Sequence, residues 1–156
     1  MAWMRRDRAL LPLIAAAALG CGGGTSRSLP VVSQPGPEQS ALADRLGDIV
    51  TEALRADARG ETADSLYALD AQLIADGRFR TTPPRFAGVG SGGQVAVNSS
   101  QIELRGALAW ISLDYRWIST RENLAREAKA TFVLAPDPTD RGRWRILHAH
   151  TSSVQP

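Results

Sequence analysis

The chain has 156 residues, of which 44% are hydrophobic and 22% charged, and it contains one cysteine. These values are typical of a globular protein and exclude a disordered chain, a collagen-like repeat and a disulfide-bonded scaffold. The net charge of +2 comes from 18 basic and 16 acidic residues, with Arg5, Arg6 and Arg8 standing beside Asp7 near the start. Without these four residues, 15 basic and 15 acidic residues remain. The positive charge therefore belongs to the N-terminus, and we expect no nucleic-acid partner.

The N-terminal segment predicts export from the cytoplasm. Residues 1–20 combine the basic start with an apolar run over residues 9–19 and small residues before Cys21, which is the order found in signal peptides. The apolar run is shorter than the about 20 residues that a helix needs to cross a bilayer. We therefore expect a cleaved signal rather than a transmembrane anchor.

The residues around Cys21 predict a lipid anchor. Ala18, Leu19, Gly20 and Cys21 resemble the bacterial lipobox, in which cleavage precedes a cysteine that already carries a diacylglycerol. The resemblance implies lipidation of Cys21 and a cell-envelope location outside the cytoplasm, on the periplasmic side of the outer membrane if the host is Gram-negative. The alternative is a secreted protein in which Cys21 merely lies near the cleavage site.

A flexible tether is predicted to follow the anchor. Residues 21–37 are rich in Gly, Ser and Pro and lack apolar periodicity, so they bury too little surface to order themselves. A flexible segment of this length spans roughly 25 Å. The folded domain is expected over residues 38–156.

The spacing of apolar residues changes from helical to extended along this domain. Apolar side chains at steps of three and four predict a helix over residues 38–58, and residues 62–68 predict a second, short helix. Asp76 and Gly77 are a hairpin signal, since a type I′ turn needs positive φ at both positions. The predicted strands cover residues 71–75, 78–80, 94–104, 107–119, 125–134 and 143–153.

Helices followed by strands with short connections predict an α+β fold. The N-terminal helices are expected to pack on one face of a curved antiparallel sheet. The remaining connection, residues 81–93, is rich in Gly and Pro and is predicted to be a loop.

Three segments resemble the SnoaL-like branch of the nuclear transport factor 2 (NTF2) superfamily. They are residues 67–71 (YALDA), 130–134 (ATFVL) and 142–153 (GRWRILHAHTSS), and the last has the pattern Gly-x-Trp-x-Ile-x-His-x-His-x-Ser. The resemblance implies a cone, in which the sheet curls round the long helix and leaves a cavity open at one end. It also implies a homodimer. Members include polyketide cyclases, ketosteroid isomerases and dehydratases, so the fold does not define the activity.

The last strand supplies the leading candidate site residues. Alternate residues of a strand point the same way, so Trp144, Ile146, His148 and His150 are expected to share the cavity wall. Two imidazoles there could act as acid and base in catalysis. The alternative is structural: both histidines would be neutral and hydrogen-bonded to neighbouring strands or loops.

Asp70 is the third candidate catalytic residue, because SnoaL-like cyclases and isomerases use a buried aspartate as a proton shuttle. Its alternative role is to close a turn between helix and strand. The loop over residues 81–93 is expected near the cavity mouth, with Arg85 and Phe86 as candidate lid residues.

Aromatic side chains are expected to line the cavity. Alternation along residues 107–119 places Tyr115 and Trp117 on the more apolar face, and a register error of one would exchange the two faces. The alternative role of these rings is core packing. The predicted ligand-pocket residues are Tyr67, Tyr115, Trp117, Phe132 and Trp144.

Two functions are consistent with these features. The first is a membrane-tethered domain that binds a small molecule in its cone, or dimerises, or does both; a module for interactions in the envelope is a variant of it. The alternative is a proton-transfer enzyme similar to ketosteroid isomerases or polyketide cyclases, in which His148, His150 and Asp70 move protons and Tyr115 stabilises an oxyanion. We expect no metal and no cofactor, since only two histidines exist and the one thiol is assigned to the anchor.

Overall fold

The computed structural model describes residues 36–140 and 142–154. The predicted signal peptide, residues 1–20, and the predicted tether up to residue 35 lie outside the described residues. The described chain begins with a helix, continues through a single 3-10 turn and then forms strands. These elements are α1 (Pro37–Arg59), the 3-10 turn (Asp64–Leu66), β1 (Tyr67–Ala75), β2 (Arg78–Phe79), β3 (Gln94–Arg105), β4 (Leu108–Ser119), β5 (Leu124–Pro136) and β6 (Trp144–Ser153).

Helix α1 begins and ends at residues that suit those positions. Pro37 lies in the first turn of the helix, where backbone amides have no acceptor within the helix. Its lack of an amide hydrogen therefore costs no hydrogen bond. Gly60 ends the helix at a φ of 77°, and its amide donates to the carbonyl of Asp57. The predicted helix over residues 38–58 is therefore confirmed to within one residue at each end.

The short helix predicted over residues 62–68 is wrong for most of its length. Only Asp64–Leu66 form a 3-10 turn, and Tyr67 already lies in β1, where it pairs with Ile146 of β6. Burial of the Tyr67 side chain in the core favours this extended backbone. The hairpin prediction is confirmed, since Asp76 and Gly77 have φ values of 49° and 75°.

The strands form one curved sheet in the order β2-β1-β6-β5-β4-β3. Strands β3 to β6 make the predicted antiparallel meander. Strand β1 pairs with β6 in parallel, so the sheet is mixed rather than wholly antiparallel. The α+β class is confirmed: α1 packs on the sheet against β3 and β4, and helix and sheet together form a cone.

The core lies between α1 and the inner face of the sheet. Strand β4 alternates strictly between buried and more exposed residues, which confirms that Tyr115 and Trp117 face inward. Among the described residues, the core cluster extends from Leu46 to Ala149. Within the part of the chain that the structure describes, α1 is not apolar enough to cross a membrane.

Candidate functional site inside the cone

A β-bulge in β6 places the two histidines on the outer face of the sheet. Val133 of β5 pairs with His148, whereas Leu134 pairs with Ile146, so Leu147 is an extra residue in β6. The bulge shifts the alternation by one position. Ile146 lies in the core before it, and after it the inward residues are Ala149 and Thr151. The prediction that His148 and His150 line the interior is therefore wrong.

Asp70 also lies outside the interior. It is exposed, and it sits in the stretch of β1 where the pairing with β6 shifts between Tyr67 and Gln72. The structure thus does not bring Asp70 and the imidazoles together inside the cone. The catalytic roles proposed for these residues stay predictions.

The aromatic residues predicted to line a pocket do come together. Tyr67, Tyr115, Trp117 and Phe132 are buried members of one cluster, and Trp144 packs against its margin. These aromatic side chains occupy the interior, where the resemblance implied a cavity. Contact between these rings and a ligand stays a prediction.

The interior also holds a carboxylate that the sequence analysis missed. Asp57 lies near the C-terminal end of α1 and is 0% exposed. Its two oxygens accept the backbone amide of Arg85 at 2.8 and 2.7 Å, and one of them accepts the amide of Phe86 at 2.9 Å. The Arg85 guanidinium forms an ion pair with Asp57 at 3.4 Å. Only the position of Asp57 on the apolar face of α1 could have indicated its burial.

Arg85 enters the cone from the loop over residues 81–93. Its guanidinium lies 4.5 Å from the centre of the Tyr67 ring, a cation–π arrangement, and donates to the carbonyl of Thr62 at 2.5 Å. Phe86 packs edge-to-face on Phe132, with ring centres 5.5 Å apart. Arg85 and Phe86, expected as lid residues, are thus built into the core, at 5% and 3% exposure.

Tyr115 and Thr151 hold the next residue of the loop. The amide of Ala87 donates to Oγ1 of Thr151 at 2.9 Å, and the Tyr115 hydroxyl donates to the carbonyl of Ala87. Burial raises the pKa of Tyr115, so its phenol remains a proton donor at neutral pH. Burial also raises the pKa of Asp57, and the amides of Phe86 and Arg85 and the guanidinium of Arg85 oppose that rise.

The glycine-rich end of the loop makes room for Trp117. A Cβ atom added to Gly93 would lie 2.2 Å from Nε1 of Trp117, and one added to Gly90 would lie 2.8 Å from its six-membered ring. In the described structure this buried Nε1 has no hydrogen-bond partner. These glycines therefore allow the loop backbone to pack closely against the indole of Trp117.

The loop and the aromatic side chains fill the middle of the cone. Its interior carboxylate and hydroxyls are hydrogen-bonded to the loop, and its aromatic side chains are packed together. In the described ranges no group of three or more His, Cys, Asp or Glu side chains could hold a metal ion. Recesses lie on the outer face of the sheet, one beside Trp110 and one beside Lys129, and also where α1 meets β3, beside Val97 and Ile102.

The architecture defines an α+β cone of the NTF2-like fold. The sequence matches no protein-family model and none of the curated proteins. An NTF2-like superfamily protein from Salmonella enterica superposes with a TM-score of 0.58 at 15% identity, over 75% of this chain and 94% of that one. A protein from Parabacteroides distasonis described as a candidate ketosteroid isomerase gives 0.57 at 13% identity, over 79% and 96%. A candidate dehydratase from Streptomyces avermitilis gives 0.56 at 15%, over 75% and 99%.

Proposed function

We propose that this protein is a lipid-anchored NTF2-like module that pairs with a second copy of itself through the outer face of its sheet. The observation that carries the proposal is a set of residues on that face that contains no Asp, Glu, Lys or Arg, here called the outer band. Its members are Ile74, Trp110, Ser112, Thr131, Val133, His148 and His150.

The outer band runs continuously across neighbouring strands. Trp110 of β4 pairs with Val133 of β5, which pairs with His148 of β6, so these side chains form one row. Thr131 and His150 belong to the adjacent row. Trp110 is 37% exposed although it is a large aromatic residue. Few charges and exposed aromatic residues are typical of the centre of a protein interface.

The charges beside the outer band favour a second copy as the partner. Lys129 forms an ion pair with Asp114 at 3.4 Å, and Arg116 forms one with Glu127. Both pairs join β4 to β5, with opposite signs side by side. A two-fold axis brings such a surface against itself, so positive groups of one copy can meet negative groups of the other.

Sedimentation equilibrium of the chain from residue 22 onward tests the pairing. We expect a dimer for the wild type and a monomer for Trp110→Glu, because an unpaired charge at the interface centre costs several kcal/mol. Leu104→Glu is the matched control, since Leu104 is 38% exposed but lies on the opposite face. A monomeric wild type, or equal dissociation of both variants, would contradict the proposal.

The lipid anchor is the second part of the proposal and is supported by the sequence around Cys21. In a bacterial host, metabolic labelling with a fatty-acid probe should label the full chain. Cys21→Ser should abolish the label and release the protein from the membrane fraction. Release without loss of label would contradict acylation at this cysteine.

Ligand binding and proton transfer in the cone are the alternatives. They are supported by the likeness in fold to a candidate ketosteroid isomerase. Turnover of a model enone that is lost in Tyr115→Phe would favour an enzyme in the cone, because Tyr115 lies in the interior whereas His148 and His150 lie on the outer face. A saturable ligand-induced rise in melting temperature without turnover would favour a small-molecule binder. We expect neither enone turnover nor a ligand-induced rise in melting temperature, because the loop over residues 81–93 fills the interior.

A further inference from the structure

The two histidines of the chain lie side by side on the outer face of the sheet. His148 and His150 are two residues apart in β6, beyond the bulge, so both imidazoles project from the same face. His150 is exposed and His148 is half-buried. In the described chain, the side chains of β6 that form hydrogen bonds are those of Arg145, Thr151 and Ser153. The structural role that would hold both imidazoles to neighbouring strands is therefore not seen.

The pairing partners of the two histidines carry no charge. They are Gln72 and Val133 for His148, and Ile74 and Thr131 for His150. On the next row of β5, the ammonium of Lys129 is paired with Asp114 at 3.4 Å. The imidazole nitrogens thus have no charged neighbour at their own level on either adjoining strand.

Two imidazoles on one face of a strand can chelate a transition metal ion. Residues two apart are about 6.6 Å apart along a strand, and zinc–nitrogen bonds are about 2.0 Å long, so the two rings can converge on one ion. Imidazole suits zinc, copper and nickel, whereas magnesium and calcium prefer oxygen ligands. Structural zinc sites have four ligands in tetrahedral geometry, so one chain supplies half of such a site.

We propose that His148 and His150 of two copies together bind one zinc ion at the two-fold axis of the pair. This inference rests on the proposed pairing through the outer band, because each half-site is incomplete without the other copy. A two-fold axis beside β6 brings each histidine near its own equivalent, so two imidazoles become four. Trp110 of β4 lies two strands away from β6, at about 10 Å, and so belongs to the same interface.

Zinc binding and association can be measured on the chain from residue 22 onward, without a histidine tag. This chain keeps every described residue and lacks Cys21, the one cysteine, so no thiol competes for the metal. We expect equilibrium dialysis against zinc chloride to give one ion per two chains. Because the ion binds the pair and not the single chain, sedimentation equilibrium should give a dissociation constant at least about tenfold lower in zinc than in EDTA.

Variants separate the metal site from the rest of the interface. His148→Ala and His150→Ala should each abolish the effect of zinc on the dissociation constant, because two or more ligands are lost from every pair. Thr131→Ala is the matched control, since Thr131 pairs with His150 on the same face and has no imidazole. Zinc should tighten the Thr131→Ala pair as it tightens the wild-type pair.

The results distinguish the metal site from the pairing itself. A wild type that dimerises equally in zinc and in EDTA, or a dimer that binds one ion per chain, overturns the shared site and leaves the pairing standing. A wild type that is monomeric in both overturns the pairing and the shared site together. A zinc effect that persists in both histidine variants overturns the assignment of the ligands.

Discussion

Asp57 joins the end of α1 to a loop 28 residues further along the chain. The two amides and the guanidinium that it binds are themselves buried. Each would lose a hydrogen-bond partner if the carboxylate were removed, and a buried donor without a partner is costly. The position of the loop therefore depends on this one side chain more than on any backbone ladder.

Replacing Asp57 should destabilise the fold strongly. We expect Asp57→Ala to lower the free energy of unfolding by about 3–5 kcal/mol, because it leaves the Arg85 charge buried and unpaired. Asp48→Ala is the control, since Asp48 lies on the exposed side of the same helix. Urea denaturation measures both values. A loss for Asp57→Ala no larger than that of the control would show that the ion pair contributes little.

The sequence offered one sign that Asp57 is buried, its place on the apolar face of α1, but no sign of its partner. An aspartate near the end of a helix is ordinarily solvated, and its partner Arg85 belongs to a loop with no periodic pattern. The β-bulge at Leu147 could not be predicted for a different reason: one extra residue in a strand leaves the apolar pattern almost unchanged. That residue alone reversed the predicted direction of His148 and His150.

At the level of elements, the connection between β5 and β6 is fixed by Asp137. Its carboxylate accepts the amide and the hydroxyl of Thr139, at 2.9 and 2.6 Å, and pairs with Arg145 at 2.5 Å. The hydrogen bonds from Thr139, followed by the ion pair with Arg145, hold the pKa of Asp137 well below its usual range. The ionised form is thus favoured by folding.

The stability added by Asp137 should depend on pH. Because its pKa is lower in the folded chain, the added stability is complete above the usual pKa of about 4 and is lost as the pH falls below it. Asp137→Asn should therefore melt below the wild type at pH 7, and the difference should shrink at pH 3. Asp140→Asn, at an exposed neighbouring residue, is the control. A gap that stays constant between the two pH values would contradict this account.

Most element boundaries could be predicted because they follow from local chemistry. Gly60 ends α1, and Asp76 with Gly77 forms the hairpin turn. The short helix over residues 62–68 was mispredicted because Tyr67 finds its partner in β6, far along the chain. Long-range pairing thus overrode a weak local preference.

At the level of the whole molecule, aromatic side chains fill the interior of the described domain, whereas the outer band is exposed to solvent. Trp117, Tyr115 and Phe132 are among the largest fully buried side chains, whereas Trp110 remains exposed on the other face. The sequence predicted the aromatic cluster, since alternation in β4 was read correctly. It did not predict that the loop over residues 81–93 enters the core, because the position of that loop depends on tertiary contacts.

The proposed pairing through the outer band would make the melting temperature depend on protein concentration. Since folding and association are linked, the wild type should melt several degrees higher when its concentration is raised a hundredfold. The melting temperature of Trp110→Glu should be the same at every protein concentration. Differential scanning calorimetry at several protein concentrations measures the melting temperatures of the wild type and the variant. A wild-type melting temperature that does not change with concentration would contradict self-association.

The strand order β2-β1-β6-β5-β4-β3 has a consequence for biogenesis. Strand β6 is the last strand along the described chain, yet it is the strand that connects the β1–β2 hairpin to the meander. During synthesis the two parts of the sheet cannot join until Trp144–Ser153 have left the ribosome. The export that we propose would benefit from this delay, because a polypeptide crosses a secretion channel before it folds.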